Sequence, residues 1–375
     1  MTDTENNKNS NSPVLRFPGF TEPWKKCRLG DYIRIFSGES PNCVSSKFGI
    51  IPYYKVEQLN WCEKYLGETP YLSQRGKNIL PEGCVVFSKR GAAILTNKVR
   101  MNLFPINIDT NLMGIKADNS FISDQYLFYF ILRARLSRIA DTSTIPQINN
   151  IHINPITIHV PSLEEQEKIT RSLGLLDERI ATQRRLIEDL EKLKSSIAHH
   201  LFQQSAPILP LGELASVTNG NADVQDAIEN YEMGLYPFFD RSEQIKYLNK
   251  FYLDKVAIIY AGEGQNFFPR YFEGKFALHQ RCYAIYDFDE QILPRYCYHY
   301  MQQLNCYFQK TAVGSTVASL RMNNFLNAPI KLPSISTQKN IMSVLDSIED
   351  LVHVEQRLLS NYIRQRQYLL CKLFI

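Results

Sequence analysis

The stretch Val160–Phe202 occurs twice in the chain. The second copy is Leu332–Phe374, also 43 residues long, at a constant offset of 172 with no gap. Pro161-Ser162 falls on Pro333-Ser334, Gln166 on Gln338, and Leu201-Phe202 on Leu373-Phe374. A segment repeated at that distance implies two similar halves. Both copies read as long helices. Ser162-x-x-Glu165, directly after Pro161, is a capping box. Apolar residues then follow at Ile169, Leu173, Leu176, Ile180, Ile187, Leu190, Ile197 and Leu201. The second copy repeats the seam at Ile341, Leu345, Ile348, Val352, Leu359, Tyr362 and Leu369. Spacings of three and four place each set along one narrow stripe. Gln183 and Lys194 interrupt the first stripe, Glu355 and Arg366 the second. Glu164 and Glu165 at the amino end, with Lys192 and Lys194 toward the other, suit the helix dipole. Such a helix is a rod of roughly 60 Å, and alone it would expose its seam. The expected solution is an antiparallel coiled coil of the two copies, holding two lobes at opposite ends with approximate two-fold symmetry.

The segments before each helix also correspond. Leu29-Gly30-Asp31 and Leu211-Gly212-Glu213 each lead through a strand-like run to a turn, Ser37-Gly38 and Asn219-Gly220. Ile51-Pro52-Tyr53-Tyr54 corresponds to Tyr236-Pro237-Phe238-Phe239. Gly83–Lys89 and Lys255–Ala261 are short apolar runs between turn signals, hence buried strands. Asn111–Ile115 and Arg281–Ile285 read as further strands, and Asp124–Ala140 and Pro294–Gln309 as helices, with Tyr126 matching Tyr296. A polar loop precedes each long helix, Thr142–Asn150 and Gly314–Asn324. Phe17, Phe20 and Trp24 look like anchors for the opening segment. The fold expected is α+β: two mixed α/β lobes and two long helices in a pseudo-two-fold internal repeat. The expected parts are a polar tail (about 1–12) with the first lobe over 1–160, a helix over 161–205, the second lobe over 206–333, and a helix over 334–375.

The formal net charge is +4, too small to mark a polyanion binder by itself. Its distribution is uneven: +6 over residues 1–160, −1 over 161–205, −2 over 206–333 and +1 over 334–375. A basic first lobe is compatible with nucleic acid. The eight cysteines form no CxxC and no His-paired metal spacing, which points to a reducing cytoplasm and to no metal site. The longest apolar run, Tyr126–Leu132, is too short for a bilayer, and the opening tail has no apolar signal core. A cytoplasmic chain without membrane contact is expected.

The strings LRFPGF…W…LGD near the start and PSLEEQEKI…LDERI…LIEDLEKLKSSI…LF in the first helix resemble the specificity subunits of type I restriction–modification enzymes. The second helix keeps the proline and Gln338 but lacks the acidic pair, having Ile335-Ser336-Thr337 instead. The resemblance implies a non-catalytic reader of double-stranded DNA. Each lobe is then a target recognition domain for one half of a bipartite, asymmetric site, and the helix pair sets the spacer. It also implies two modification (methyltransferase) subunits and ATP-dependent restriction subunits as partners. S-adenosylmethionine, ATP and magnesium would belong to those partners, so no cofactor is expected here.

Reading DNA takes cations for phosphates, and Arg, Asn, Gln, Ser or Thr for base edges. In the first lobe the candidates are Lys89 and Arg90, the hairpin-like Asn97, Lys98 and Arg100, and Ser143, Thr144, Gln147 and Asn149. In the second they are Gln265 and Asn266, Arg270 and Tyr271, Arg281, and Ser315, Thr316, Ser319, Arg321 and Asn323. Any one of these is equally readable as an ordinary solvated loop residue; their matched placement in both halves is what singles them out. Arg133, Arg135 and Arg138 fit the solvated face of a helix or unspecific phosphate contact. Enzyme readings fare poorly. Asn154-Pro155-Ile156-Thr157 lacks the second proline and the aromatic of a base-holding methyltransferase motif. Gly262-x-Gly264 lacks a third glycine and a helix start. Asp254 with Glu273-Gly274-Lys275 is only a faint nuclease-like pattern. A coiled-coil scaffold that binds no DNA would explain the helices but not two elaborate lobes with matched polar loops.

Overall fold

The structure, a computed structural model, describes residues 12–44, 49–141, 145–314 and 316–375. It divides into two compact units, one comprising residues up to Arg185 with Arg357–Ile375, the other Leu186–Gln356. The two long helices run Leu163–Leu201 and Ile335–Lys372, so each helix is shared between the units.

In the first unit, strands β1 (Lys25–Arg28) and β9 (Thr157–Val160) pair antiparallel where the chain enters and leaves the lobe. Between them, β2 (Ile33–Ser37), β8 (Leu112–Ala117), β5 (Val85–Ser88) and β6 (Val99–Met101) form an antiparallel sheet in that order. A second sheet has the order β4 (Leu72–Ser73), β3 (Ile51–Tyr54), β7 (Asn107–Ile108), with β3 and β7 parallel. The second unit repeats the plan. Strands β10 (Ile208–Pro210) and β17 (Pro329–Lys331) pair at its base. A six-stranded sheet runs β11 (Ser216–Asn219), β16 (Cys282–Tyr286), β14 (Leu253–Ala261), β15 (Arg270–Leu278), β12 (Tyr236–Phe239), β13 (Lys246–Leu248). The nine residues of β15 pair antiparallel with β14 and, at their far end, parallel with β12. The first unit splits that role between β6 and β7, so one sheet becomes two. Gly38 and Gly220 are needed at equivalent turns, because a Cβ there would lie 1.8 Å from the carbonyl oxygen of Asp109 and 2.2 Å from that of Leu278.

The framework residues legible as a repeat make the same bonds in both units. Gln166 is fully buried; its Oε1 accepts from the Ser123 N–H at 2.8 Å, and its Nε2 donates to the carbonyls of Phe121 and Pro161. Gln338 accepts from the Leu293 N–H at 2.9 Å and donates to the carbonyls of Gln291 and Pro333. Tyr126 donates to the carbonyl of His159 and Tyr296 to that of Lys331, both at 2.8 Å.

Within each unit the helices pack antiparallel. In the first, Ile169 and Leu173 from the opening turns of one helix share a core with Leu370 from the closing turn of the other and with Leu373 and Phe374 just past its end. In the second, Ala198 and Phe202 pack with Ile341 and Leu345. The expected antiparallel pairing is therefore present. The seam drifts toward the helix ends, where Ala198 and Leu370 are buried while their neighbours Ile197 and Leu369 are only partly so. A 3.6-residue helix loses register with a strict heptad in this way. The polar interruptions are used. Arg366 donates to Asp177 at 2.8 Å, Lys194 lies 3.1 Å from Glu349, and Gln183 is buried.

Three local expectations change. Asp124–Ala140 is not one helix. It breaks into Asp124–Ala134 and Leu136–Ile139 at Arg135, whose φ is +59°, because Asn97 bonds both the Leu132 carbonyl and the Leu136 N–H. Pro294–Gln309 likewise divides into Pro294–Met301, a 3₁₀ turn at Gln302–Leu304 and Asn305–Thr311, where the Asn305 side chain accepts from the Phe267 N–H. The capping box is half made: Ser162 Oγ accepts the Glu165 N–H, but the Glu165 carboxylate takes hydrogen bonds from Arg16 Nε at 2.8 Å and Trp24 Nε1 at 3.2 Å. That carboxylate anchors the opening segment. Charge-assisted bonding of this kind outweighs a reach back to the Ser162 N–H.

Candidate nucleic-acid interface

In each unit the loop leaving the central strand meets the loop that precedes the long helix, and the backbone stitches them alike. In the first unit the Ile148 N–H donates to the Lys89 carbonyl, and the Gly91 N–H to that of Pro146. Gln147 forms antiparallel bridges with Arg90 and Asp141. In the second, the Leu320 N–H donates to the Gly262 carbonyl and the Gly264 N–H to that of Ala318, while Ser319 bridges Glu263 and Val313. Position by position, Arg90 corresponds to Glu263, Gln147 to Ser319 and Asn149 to Arg321. A common backbone frame thus presents different side chains.

These extended segments alternate, as a strand does. Ile148 and Leu320 point into their cores, while Gln147, Asn149 and Arg321 are exposed and Ser319 is partly so. Arg90 stands exposed beside Gln147, and Lys89 is half-buried, its ammonium pushed below the ordinary lysine range by burial. In the second unit Arg281 is exposed and ion-paired to Glu263, and the Arg281 N–H donates to His279 Nδ1 at 3.2 Å. Arg281, Ser319 and Arg321 line one polar cleft together with Asn219, Gln280 and Tyr283. The Tyr283 hydroxyl donates to the Leu320 carbonyl at 3.2 Å and so fixes the cleft wall. Those last three residues were not singled out from sequence. Asn219 was legible only as half of a turn, Gln280 lies just before the strand-like run Arg281–Ile285, and Tyr283 lies within it.

The structure thus brings together Lys89, Arg90, Gln147 and Asn149 in one unit, and Arg281, Ser319 and Arg321 in one cleft of the other; Thr316 and Asn323 are exposed but do not line that cleft. Ser143, Thr144 and Ser315 lie outside the described residues. Asn97, Lys98 and Arg100 are elsewhere in the first unit, in a hollow closed by Asp177, Arg184 and Arg366 of the long helices. Asn97 caps helix ends, Lys98 bonds Asn60, and Arg100 donates to the Leu59 carbonyl at 2.8 Å from Nη2. Burial there pushes the Arg100 pKa downward. In the second unit Gln265 and Asn266 are exposed but tied to Gln309. Arg270 donates to the Asp240 carbonyl, and Tyr271 packs edge-on to Tyr298 beneath Arg295. Arg133 donates to the Ile375 carbonyl rather than standing free in solvent.

His299, Asp346 and Glu349 bring potential ligand atoms within 4.8 Å of one another. Both carboxylates are already compensated, Asp346 by Arg295 at 2.8 Å and Glu349 by Lys194 at 3.1 Å. A cation would have to displace two others, so the cluster is a charge-balanced clasp between helices. Among the described residues no helix is long and apolar enough to cross a membrane.

This duplicated α+β architecture, with paired loops at matching edges and two long helices, defines the class. The chain belongs to the family described as the type I restriction modification DNA specificity domain, which matches twice, over residues 21–192 and 208–361. It is similar to the type I restriction enzyme EcoDI specificity subunit of Escherichia coli, 31% identical over 140 residues, covering 37% of this chain and 30% of the relative. It is also similar to the MjaVIII specificity subunit of Methanocaldococcus jannaschii, 26% identical over 197 residues, or 50% of this chain and 43% of the relative. The matches thus span less than half the length of these curated relatives. In fold the chain resembles the S subunit of a type I restriction–modification system from M. genitalium, with a TM-score of 0.62 and 17% identity, covering 97% of this chain and 99% of that one. A second solved structure, described as showing complex assembly and conformational transition of a type I system, matches at a TM-score of 0.56 and 18% identity over 96% of this chain and 99% of that one.

Proposed function

We propose that the chain is the non-catalytic DNA reader of a type I restriction–modification system. Residues 1–160 and 206–333 act as two target recognition domains, each reading one half of a bipartite, asymmetric site in double-stranded DNA. The observation that carries this reading is the shared loop frame that presents Arg90, Gln147 and Asn149 in one unit and Glu263, Ser319 and Arg321 in the other. One frame with two side-chain sets is what two different half-sites require. Base edges are read by the polar residues of the frame, and the flanking cations position the phosphates.

The helix pair sets the spacer and takes part in recruiting two modification subunits, with restriction subunits joining them. S-adenosylmethionine, ATP and magnesium serve those partners, and the assembly works in the cytoplasm. Support for a helical partner comes from a second apolar set outside the seam. Leu186 and Leu193 on one helix, and Val344 and Leu351 on the other, are exposed at seven-residue spacing, a pattern suited to further helices.

The test is exchange. The complex carrying residues 206–333 from a subunit of different specificity is expected to methylate a motif changed in one half only. A change in both halves, or in neither, defeats modular reading.

A further inference from the structure

The outward row of each loop segment has an apolar residue at the same place. In the first unit the row is Ile145, Gln147, Asn149; in the second it is Val317, Ser319, Arg321. Ile145 is 53% exposed and Val317 52%. The inward row, Ile148 in one unit and Ala318 with Leu320 in the other, packs on the cores, so the outward residues have no core to turn to. The local geometry also fixes the residue. Gly314, at φ +115°, makes a turn so tight that a Cβ there would lie 2.5 Å from the Val317 carbonyl oxygen. The Gly264 N–H holds the next carbonyl, that of Ala318, at 3.1 Å. Both residues are β-branched and stiff about χ1. A lone exposed apolar residue needs no explanation, but one repeated at the same position of two otherwise dissimilar rows does. Val317 lines the same cleft as Arg281, Glu263 and Arg321; Glu263 pairs with Arg281, and Arg321 leaves the three with a net positive charge that favours a polyanion over an apolar protein surface.

We infer that Ile145 and Val317 each seat the 5-methyl group of a thymine in the major groove and are specificity-determining residues of the two units. This rests on the DNA-reading role proposed above. The thymine methyl is the apolar feature that the major groove offers. Alternate residues of an extended segment stand about 6.8 Å apart, roughly two base-pair steps of 3.4 Å. The thymine met by Val317 therefore lies about two base pairs from the base met by Ser319, and the Ile145–Gln147 pair has the same spacing.

The experiment uses the full chain assembled with its modification subunits and a duplex carrying the mapped site. Each thymine, on either strand, is replaced in turn by deoxyuridine, which differs only in lacking the methyl group. For the unaltered protein, one replacement in each half-site is expected to weaken binding roughly fourfold, the size of one buried methyl. Val317→Ala is expected to abolish the penalty in the second unit's half-site alone, and Ile145→Ala that in the other. Val317→Thr, which keeps the shape, serves as a second variant should the alanine protein assemble poorly; it is expected to reduce the same penalty. If binding is specific but no thymine is methyl-sensitive, or the sensitive positions are the same in the variants, the inference is overturned while the DNA-reading role stands. Absence of any sequence-specific binding overturns both.

Discussion

The Phe374 ring lies 4.9 Å from the Tyr126 ring, in the core of the first unit. Its counterpart in the second unit is Phe202, 5.8 Å from Tyr296. The core of each unit is thus completed by a phenylalanine just past the end of the long helix that follows the other lobe in sequence. Phe374 is 3% exposed, so Phe374→Ala should open a cavity and cost about 3–5 kcal/mol. Chemical unfolding followed by a probe in the first unit measures it. Phe374→Leu should recover most of the loss.

Gln166 is a buried amide with three backbone partners. Gln166→Leu keeps much of the volume but strands the Ser123 N–H and two carbonyls. The expected cost is about 1–3 kcal/mol, and hydrogen exchange at Ser123 should accelerate in step. Exchange that stays slow there would mean that another group has taken the bond.

Much of this framework was legible in the sequence because it repeats. Gln166 and Gln338, Tyr126 and Tyr296, and the two Leu-Phe pairs stand at matching places and make matching contacts. What repetition could not show is which partner wins a side chain. Glu165 reads as half of a capping box, yet Arg16 and Trp24, far away in sequence, hold its carboxylate. Asn97 and Arg100 look like loop readers, but they satisfy backbone groups of the first unit's own helix and turn. Conversely, the alternation that exposes Ile145 and Val317 runs over only five residues, too few to stand out from an ordinary polar loop.

The clasp around His299 makes stability depend on pH in two steps. His299 Nε2 donates to Asp346 at 2.7 Å, the carboxylate being the acceptor, while Nδ1 faces Glu349 at 3.8 Å, with Lys194, Arg295 and Tyr298 nearby. Burial pushes the His299 pKa below its ordinary 6.5, outweighing the carboxylates. The unfolded chain therefore binds this proton more readily. Stability is full above about pH 6.5 and falls as pH drops toward the lowered folded value. Burial alone would raise Asp346 and Glu349, but hydrogen bonds and charge from His299, Arg295 and Lys194 hold both below their ordinary values. Their contribution is present above their ordinary range and is lost as pH falls through the folded values. Unfolding measured from pH 8 to 3 should show both steps, and His299→Gln should remove the upper one while shrinking the lower, because His299 also holds Asp346 down. An unchanged upper step in that variant would place its source elsewhere.

Asp177 gathers Arg366 at 2.8 Å and the Tyr129 hydroxyl at 2.6 Å, with Asp177 only 13% exposed. Removing one partner leaves the other charged and half-buried. Asp177→Ala should cost about 3 kcal/mol, whereas Asp177→Leu with Arg366→Met should cost much less. A double-mutant cycle on unfolding free energy decides this; additive effects would show that the pair is not coupled.

Lengthening both long helices by four residues at matching mid-helix positions adds about 6 Å to the rod, roughly two base-pair steps of 3.4 Å. The methylated motif should keep both halves and gain spacer. Altered halves with an unchanged spacer would contradict a helical ruler.

The most direct measurement is to co-express the chain with its modification subunit and map methylated adenines across a genome. The expected result is a two-part, asymmetric motif with a fixed spacer and one methylated adenine in each half. A single contiguous motif, or methylation that is unchanged when this chain is removed, would contradict the account of two reading units joined in one chain.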